Sequence, residues 1–198
     1  HRSRARALLA RALAELNSGR HDRALATVAT ARVLAQRAGD ATTLGEAHAT
    51  DGVILRQLRR FDDARRSVRA AIRVHRSAGN HRHEGLAWGV LGALCHDAGR
   101  LRAAATCYER AEARFAAAGD AWSRAMALGS LGNVQHERAQ LLPAAASYRA
   151  AMRGFTRFRD RRHAGIFTGY LALLQHERGD LAAARRGYDA AITATHAA

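Results

Sequence analysis

The sequence predicts an all-α fold, an α-α superhelix built as a solenoid of five helix-turn-helix repeats and ten helices, and three observations carry that expectation. The first is periodicity. Ala24, Ala64, Ala104, Ala144 and Ala184 recur at a step of 40 residues, and Ala31, Ala71, Ala111, Ala151 and Ala191 recur at the same step. The second is punctuation. Gly39-Asp40, Gly79-Asn80 and Gly119-Asp120 each put glycine where a helix can end left-handed and then a polar residue able to cap the next helix. The third is composition: an apolar share of 48% rich in alanine, with one proline, favours helix throughout.

The repeats follow in order as 1–40, 41–80, 81–120, 121–160 and 161–198. Repeat one places Ala12 in its first helix and Ala24, Val28 and Ala31 in its second, with Gly19 between them. Repeat two offers Gly52, Ala64, Val68 and Ala71, but Arg59 stands at its inner turn. Repeat three is the fullest, with Trp88, Leu91, Gly92 and Leu94 at helical spacing, a turn at Gly99-Arg100, then Ala104, Tyr108, Ala111 and Phe115. Repeat four carries Gly132, Ala144, Tyr148 and Ala151, with Ala139 at the turn. Its Pro143 falls in the first turn of a helix, where the missing donor costs nothing. Repeat five closes with Ala172, Gly179, Ala184, Tyr188 and Ala191. A small residue lets two helix backbones approach, and the large residue beside it fills the space that opens next along. No linker or low-complexity tract interrupts the pattern, so 1–198 is expected to be a single solenoid.

The small–large–small pattern of Trp88, Leu91, Gly92, Gly99, Ala104, Tyr108 and Ala111 resembles a tetratricopeptide repeat (TPR), in the roughly 40-residue variety found in bacterial regulators and signalling proteins. The resemblance covers the whole chain and is strongest in repeats three to five. It departs at Arg11, which replaces a leucine, and in lacking the proline that usually ends the second helix. It implies a right-handed superhelix whose first helices line a concave groove. It also implies binding of peptides or protein surfaces rather than catalysis.

Composition narrows the function classes. No run approaches the roughly 18 apolar residues of a membrane span. The start, HRSRARALLA, does not read as a signal peptide, because Arg11 and Glu15 interrupt its apolar run. His1 in place of an initiator Met suggests a fragment of a longer protein, and a cytoplasmic location is expected. Cys95 and Cys107 fit a reducing compartment without a disulfide framework. With 32 arginines and no lysine, the chain cannot supply a P-loop lysine, a kinase lysine or a Schiff base. Gly129-Ser130-Leu131-Gly132 has the wrong spacing for a nucleophile elbow. His136-Glu137 and His176-Glu177 begin like a zinc-hydrolase helix, but Gln140 and Asp180 stand where the second histidine is needed. No enzyme, metal or cofactor is therefore expected.

The most informative polar feature is a column. His96, His136 and His176 recur at the 40-residue step, each followed by an acid: Asp97, Glu137 and Glu177. By the resemblance, this position faces the groove. Successive histidines would lie one helix pair apart, about 10 Å or more, too far for one metal ion but well spaced for an extended ligand. The groove expectation comprises Val53, Arg56, Gln57, Ala93, His96 and Asp97, then Asn133, His136, Glu137, Leu173, His176 and Glu177. A second column, Gly89, Gly129 and Gly169, sits inside helices at roughly 1 kcal/mol each relative to alanine. It either admits a ligand backbone or lets neighbouring helices pack tightly.

The formal charge of +15 would draw acidic proteins or nucleic acid. Arginines cluster in the first helix, between Arg59 and Arg76, and at Arg149, Arg153, Arg157, Arg159, Arg161 and Arg162. Exposed aromatics would be needed beside them for nucleic-acid stacking, and only Phe155, Phe158 and Phe167 around the third cluster come close. No polar capping helix closes the array, so the face carrying Ala184, Tyr188, Ala191 and Ile192 is open to more chain or to self-association. The expected function is a non-enzymatic module binding an acidic or extended segment of a peptide or another protein, as scaffold or regulatory part of a bacterial signalling protein. By the resemblance, its partner could be a kinase, a transcription regulator or a protease. Nucleic-acid binding through the arginine clusters is the alternative.

Overall fold

The computed structural model describes the backbone of residues 1–196 and the side chains of residues 1–195. Among the described residues there are ten helices and no strand. They are α1 (Arg2–Asn17), α2 (His21–Arg37), α3 (Ala41–Gln57), α4 (Phe61–Ser77), α5 (His81–Asp97), α6 (Leu101–Ala117), α7 (Ala121–Glu137), α8 (Leu141–Arg157), α9 (Arg161–Glu177) and α10 (Leu181–His196). The helices form two compact units, α1–α5 (His1–Arg100) and α6–α10 (from Leu101).

The turns show why the helices stop where they do. Left-handed backbone recurs every twenty residues, at Gly19, Gly39, Arg59, Gly79, Gly99, Gly119, Ala139, Arg159 and Gly179. There the chain closes a Schellman motif, as in the bonds Arg20 N–H to Glu15 O (2.9 Å) and Gln140 N–H to Gln135 O (2.9 Å). Arg59, Ala139 and Arg159 adopt this conformation with φ of 62°, 56° and 57°, although it disfavours any side chain by roughly 1–2 kcal/mol. The next helix then starts from a cap. Asp40, Asp120 and Asp160 accept from the backbone N–H of Thr43, Ser123 and His163 at 3.2, 3.0 and 3.1 Å. Asn80 differs from the expectation of a capping residue. Its amide instead reaches Thr42 Oγ1 (3.4 Å) and His83 Nδ1 (2.8 Å).

The small–large–small columns are the core of each unit. In the first, Ala24, Val28 and Ala31 pack with Leu9, Ala12, Leu16, Ala47 and Ile54, all buried. Gly52 is required by close approach, because a Cβ there would lie 2.3 Å from Val68 Cγ2. Polar groups are buried here too. Glu15 accepts from Thr27 Oγ1 at 2.7 Å and from Arg11 Nε at 2.8 Å, and these bonds hold its carboxyl below the usual range.

In the second unit the core is aromatic. Tyr148 and Phe155 are buried, Phe155 stacks on Phe167 at 5.6 Å, and Tyr148 stacks on Tyr170 at 5.1 Å. The internal glycine column resolves unevenly. A Cβ on Gly129 would lie 2.1 Å from the Phe167 ring, so this glycine admits a packed aromatic side chain. Gly89 has open space at that position, and Gly169 would meet only Ala191 Cβ at 3.7 Å.

Candidate interaction surface

The expected residues fall on the C-terminal halves of the repeats' first helices, α3 and α5 in the first unit and α7 and α9 in the second. None of the twelve is buried. Their neighbours follow from the repeat: with small residues at Gly52, Gly132 and Ala172 turned into the core, positions one and four residues further on emerge at the edge of the packing.

In the first unit, Arg56 of α3 reaches across to α5. Its Nε donates to Asp97 Oδ2 at 2.5 Å and its Nη2 to Asp97 Oδ1 at 3.2 Å, a forked pair. This hydrogen bonding to Arg56 keeps the Asp97 carboxyl below the usual range. Gln57 is engaged by His21 of α2, whose Nε2 lies 3.0 Å from its Oε1. Val53 is half-buried and packs against the core, while Ala93 and His96 are half-exposed.

The second unit repeats the arrangement with different chemistry. His136 Nε2 of α7 lies 2.9 Å from both carboxylate oxygens of Glu177 on α9. The two bridges occupy the same register, the sixteenth residue of one repeat to the seventeenth of the next. Asn133 Oδ1 accepts from the Tyr148 hydroxyl at 3.0 Å, which fixes its amide beside His136. Burial, with Tyr170, Glu137 and Glu177 nearby, pushes the Tyr148 hydroxyl well above its ordinary value, so it remains a donor. Glu137 and His176 are exposed and Leu173 half-buried. His176 also lines a small recess with Tyr188, Arg185 and Asp189.

The inter-repeat bridges were not part of the sequence expectation. Their signal was present as a basic or imidazole side chain at one position and an acid 41 residues on. A second lock escaped as well: Thr27 donates to Glu15 in repeat one, and Ser147 donates to Gln135 at 2.7 Å in repeat four. Among the described residues no group of three or more His, Cys, Asp or Glu could hold a metal ion, and no helix is long and apolar enough to cross a membrane.

Paired antiparallel helices with a repeated small–large–small core define the class: an α-helical repeat solenoid. Within it the chain has the tetratricopeptide-repeat fold, as comparison with solved structures shows. BtubC (BKLC) from P. vanneervenii matches with a TM-score of 0.84 at 16% identity, over 94% of this chain and 77% of that one. A putative kinesin light chain of Podosopora anserina with nearly identical TPR-like repeats matches with a TM-score of 0.78 at 12% identity, over 98% of this chain and 95% of that one. A Rap protein complexed with competence and sporulation factor matches with a TM-score of 0.75 at 14% identity. That match covers 96% of this chain but 53% of the Rap chain, so the chain spans about half its length. No family model and no curated protein matches the sequence. At these identities the likeness shows the fold alone.

Proposed function

We propose that the first-helix rows of the two units bind an extended segment of a peptide or another protein, and that the chain serves as scaffold or regulatory part of a bacterial signalling protein in the cytoplasm. The observation that carries the reading is a preorganised polar bridge between first helices in each unit. Arg56–Asp97 and His136–Glu177 tie successive first helices together while leaving both partners accessible. Held side chains lose little freedom on binding, which is where a weakly apolar surface gains affinity. Beside these bridges, His96 in the first unit and His176 in the second offer half-exposed and exposed imidazoles, and Asn133 presents an oriented amide suited to a peptide backbone. The Rap neighbour, solved with competence and sporulation factor, supports recognition of this kind on this fold. An acidic partner follows from the formal charge of +15.

The test is affinity capture from native lysate with and without nuclease, comparing the wild type with a His96→Ala/His136→Ala/His176→Ala variant. A stoichiometric protein that survives nuclease and is lost with the variant supports the row. Recovery that collapses with nuclease makes the arginine clusters the binding surface and nucleic acid the ligand.

A further inference from the structure

The third arginine cluster is unlike the second. Between Arg60 and Arg66 each arginine has an acid at hand at the start of α4: Arg60 and Arg66 share Asp63, and Arg65 pairs with Asp62. Helix α8 carries no acid at all, and Arg149, Arg153 and Arg157 stand exposed one turn apart along it. Neither these three nor Arg159, Arg161 and Arg162 just beyond have an ion pair among the described residues.

Two recesses open beside this row, both within the second unit. A recess of about 340 Å³ lies between the start of α7 and the end of α8. Its inner residues are Ala125, Leu128, Ala150 and Gly154, and a Cβ on Gly154 would lie 2.6 Å from Ala125 Cβ. Arg124, Arg153 and Arg157 stand over it, and Phe158, 49% exposed, borders it. A wider recess of about 980 Å³ flanks the α8–α9 turn, where Arg159, Arg161 and Arg162 meet Thr156 and Asp160.

We propose that this face docks an acidic protein segment bearing one apolar anchor. The anchor enters the α7–α8 recess against Leu128 and Phe158, and flanking carboxylates pair with Arg153 and Arg157. Arginine's planar fork suits carboxylates bidentately, and an apolar floor under an arginine rim is the arrangement that an amphipathic acidic segment complements. Nucleic acid fits the same face less well. The indole of Trp122 is already engaged, donating to Asp160 Oδ2 at 3.3 Å and packing edge-on against Phe155 and His163 at 5.8 and 5.7 Å. Among the described residues of this face Phe158 is the ring most open for stacking. Apart from Arg124, Arg153 and Arg157, the residues lining the α7–α8 recess carry no polar side-chain group to read a base edge.

This surface is separate from the first-helix row, so the two stand or fall independently. The experiment is fluorescence anisotropy on the full chain with three labelled probes: an oligoglutamate peptide with a central Leu-Phe, the same peptide with Ala-Ala, and oligothymidylate. Arg153→Glu/Arg157→Glu should weaken the anchored peptide by about tenfold or more, while the charge-matched Arg102→Glu/Arg186→Glu, at exposed sites elsewhere, should weaken it by less than about twofold. Phe158→Ser should abolish the preference for the anchored over the anchorless peptide, and His136→Ala/His176→Ala should leave all three probes unaffected. Equal weakening by both charge-reversal pairs, or no preference for the anchored peptide, would overturn the proposal. Tighter binding of oligothymidylate, lost with Arg153→Glu/Arg157→Glu, would overturn it in favour of nucleic acid.

Discussion

His75 makes the first unit sensitive to acid. It is 1% accessible, with its Nδ1 lacking a hydrogen-bond partner and its ring 5.2 Å from that of His83. Gly45 makes the room for it, since a Cβ there would lie 2.3 Å from the imidazole. Burial, reinforced by His83 and His48 and opposed by Glu84, lowers its pKa from 6.5 to about 4. The folded state therefore binds fewer protons than the unfolded chain between those values. Stability is fully present above 6.5 and is lost as pH falls towards about 4, by of the order of 3 kcal/mol over the whole window. Urea denaturation at pH 7.5 and pH 5 should show a loss of about 2 kcal/mol that His75→Phe largely removes. The Arg56–Asp97 bridge is a different matter. Its partners are accessible, so Arg56→Ala should change stability by less than about 1 kcal/mol while weakening partner binding, a split that separates a recognition role from a structural one.

At the scale of the element, turns and glycines give opposite expectations at positions that look alike in the sequence. Ala139 holds left-handed backbone with φ of 56° in a position that glycine fills in most other turns. Ala139→Gly should raise stability by about 1 kcal/mol, read as a higher Tm. Gly89 and Gly129 occupy one column but not one environment. Gly129→Ala should destabilise by about 1–3 kcal/mol, because the Phe167 ring must move, whereas Gly89→Ala meets open space and should gain about 0.5–1 kcal/mol of helix propensity. The column showed in the sequence only that side chains were missing. What fills the space is set by Phe167, forty residues removed from the 127 position it parallels, and no local pattern reports that.

For the whole molecule, the repeat was legible because it is written several times over. Ala24, Ala64, Ala104 and Ala144 are fully buried and Ala184 nearly so, and left-handed turns recur even where Arg59 and Ala139 replace glycine. The polar chemistry was less so. His136 and Glu177 are each ordinary surface residues in sequence, and only the stacking of α7 beside α9 makes them a pair. Trp122 and Phe158 likewise gain their meaning from the α7–α8 packing that leaves both at the surface. The central claim is that the first helices of the repeats carry the partner. Hydrogen–deuterium exchange on the chain alone and in its captured complex tests this most directly. Exchange should slow at the C-terminal turns of α3, α5, α7 and α9, around residues 53–57, 93–97, 133–137 and 173–177. A stoichiometric complex that leaves those turns unchanged would contradict it.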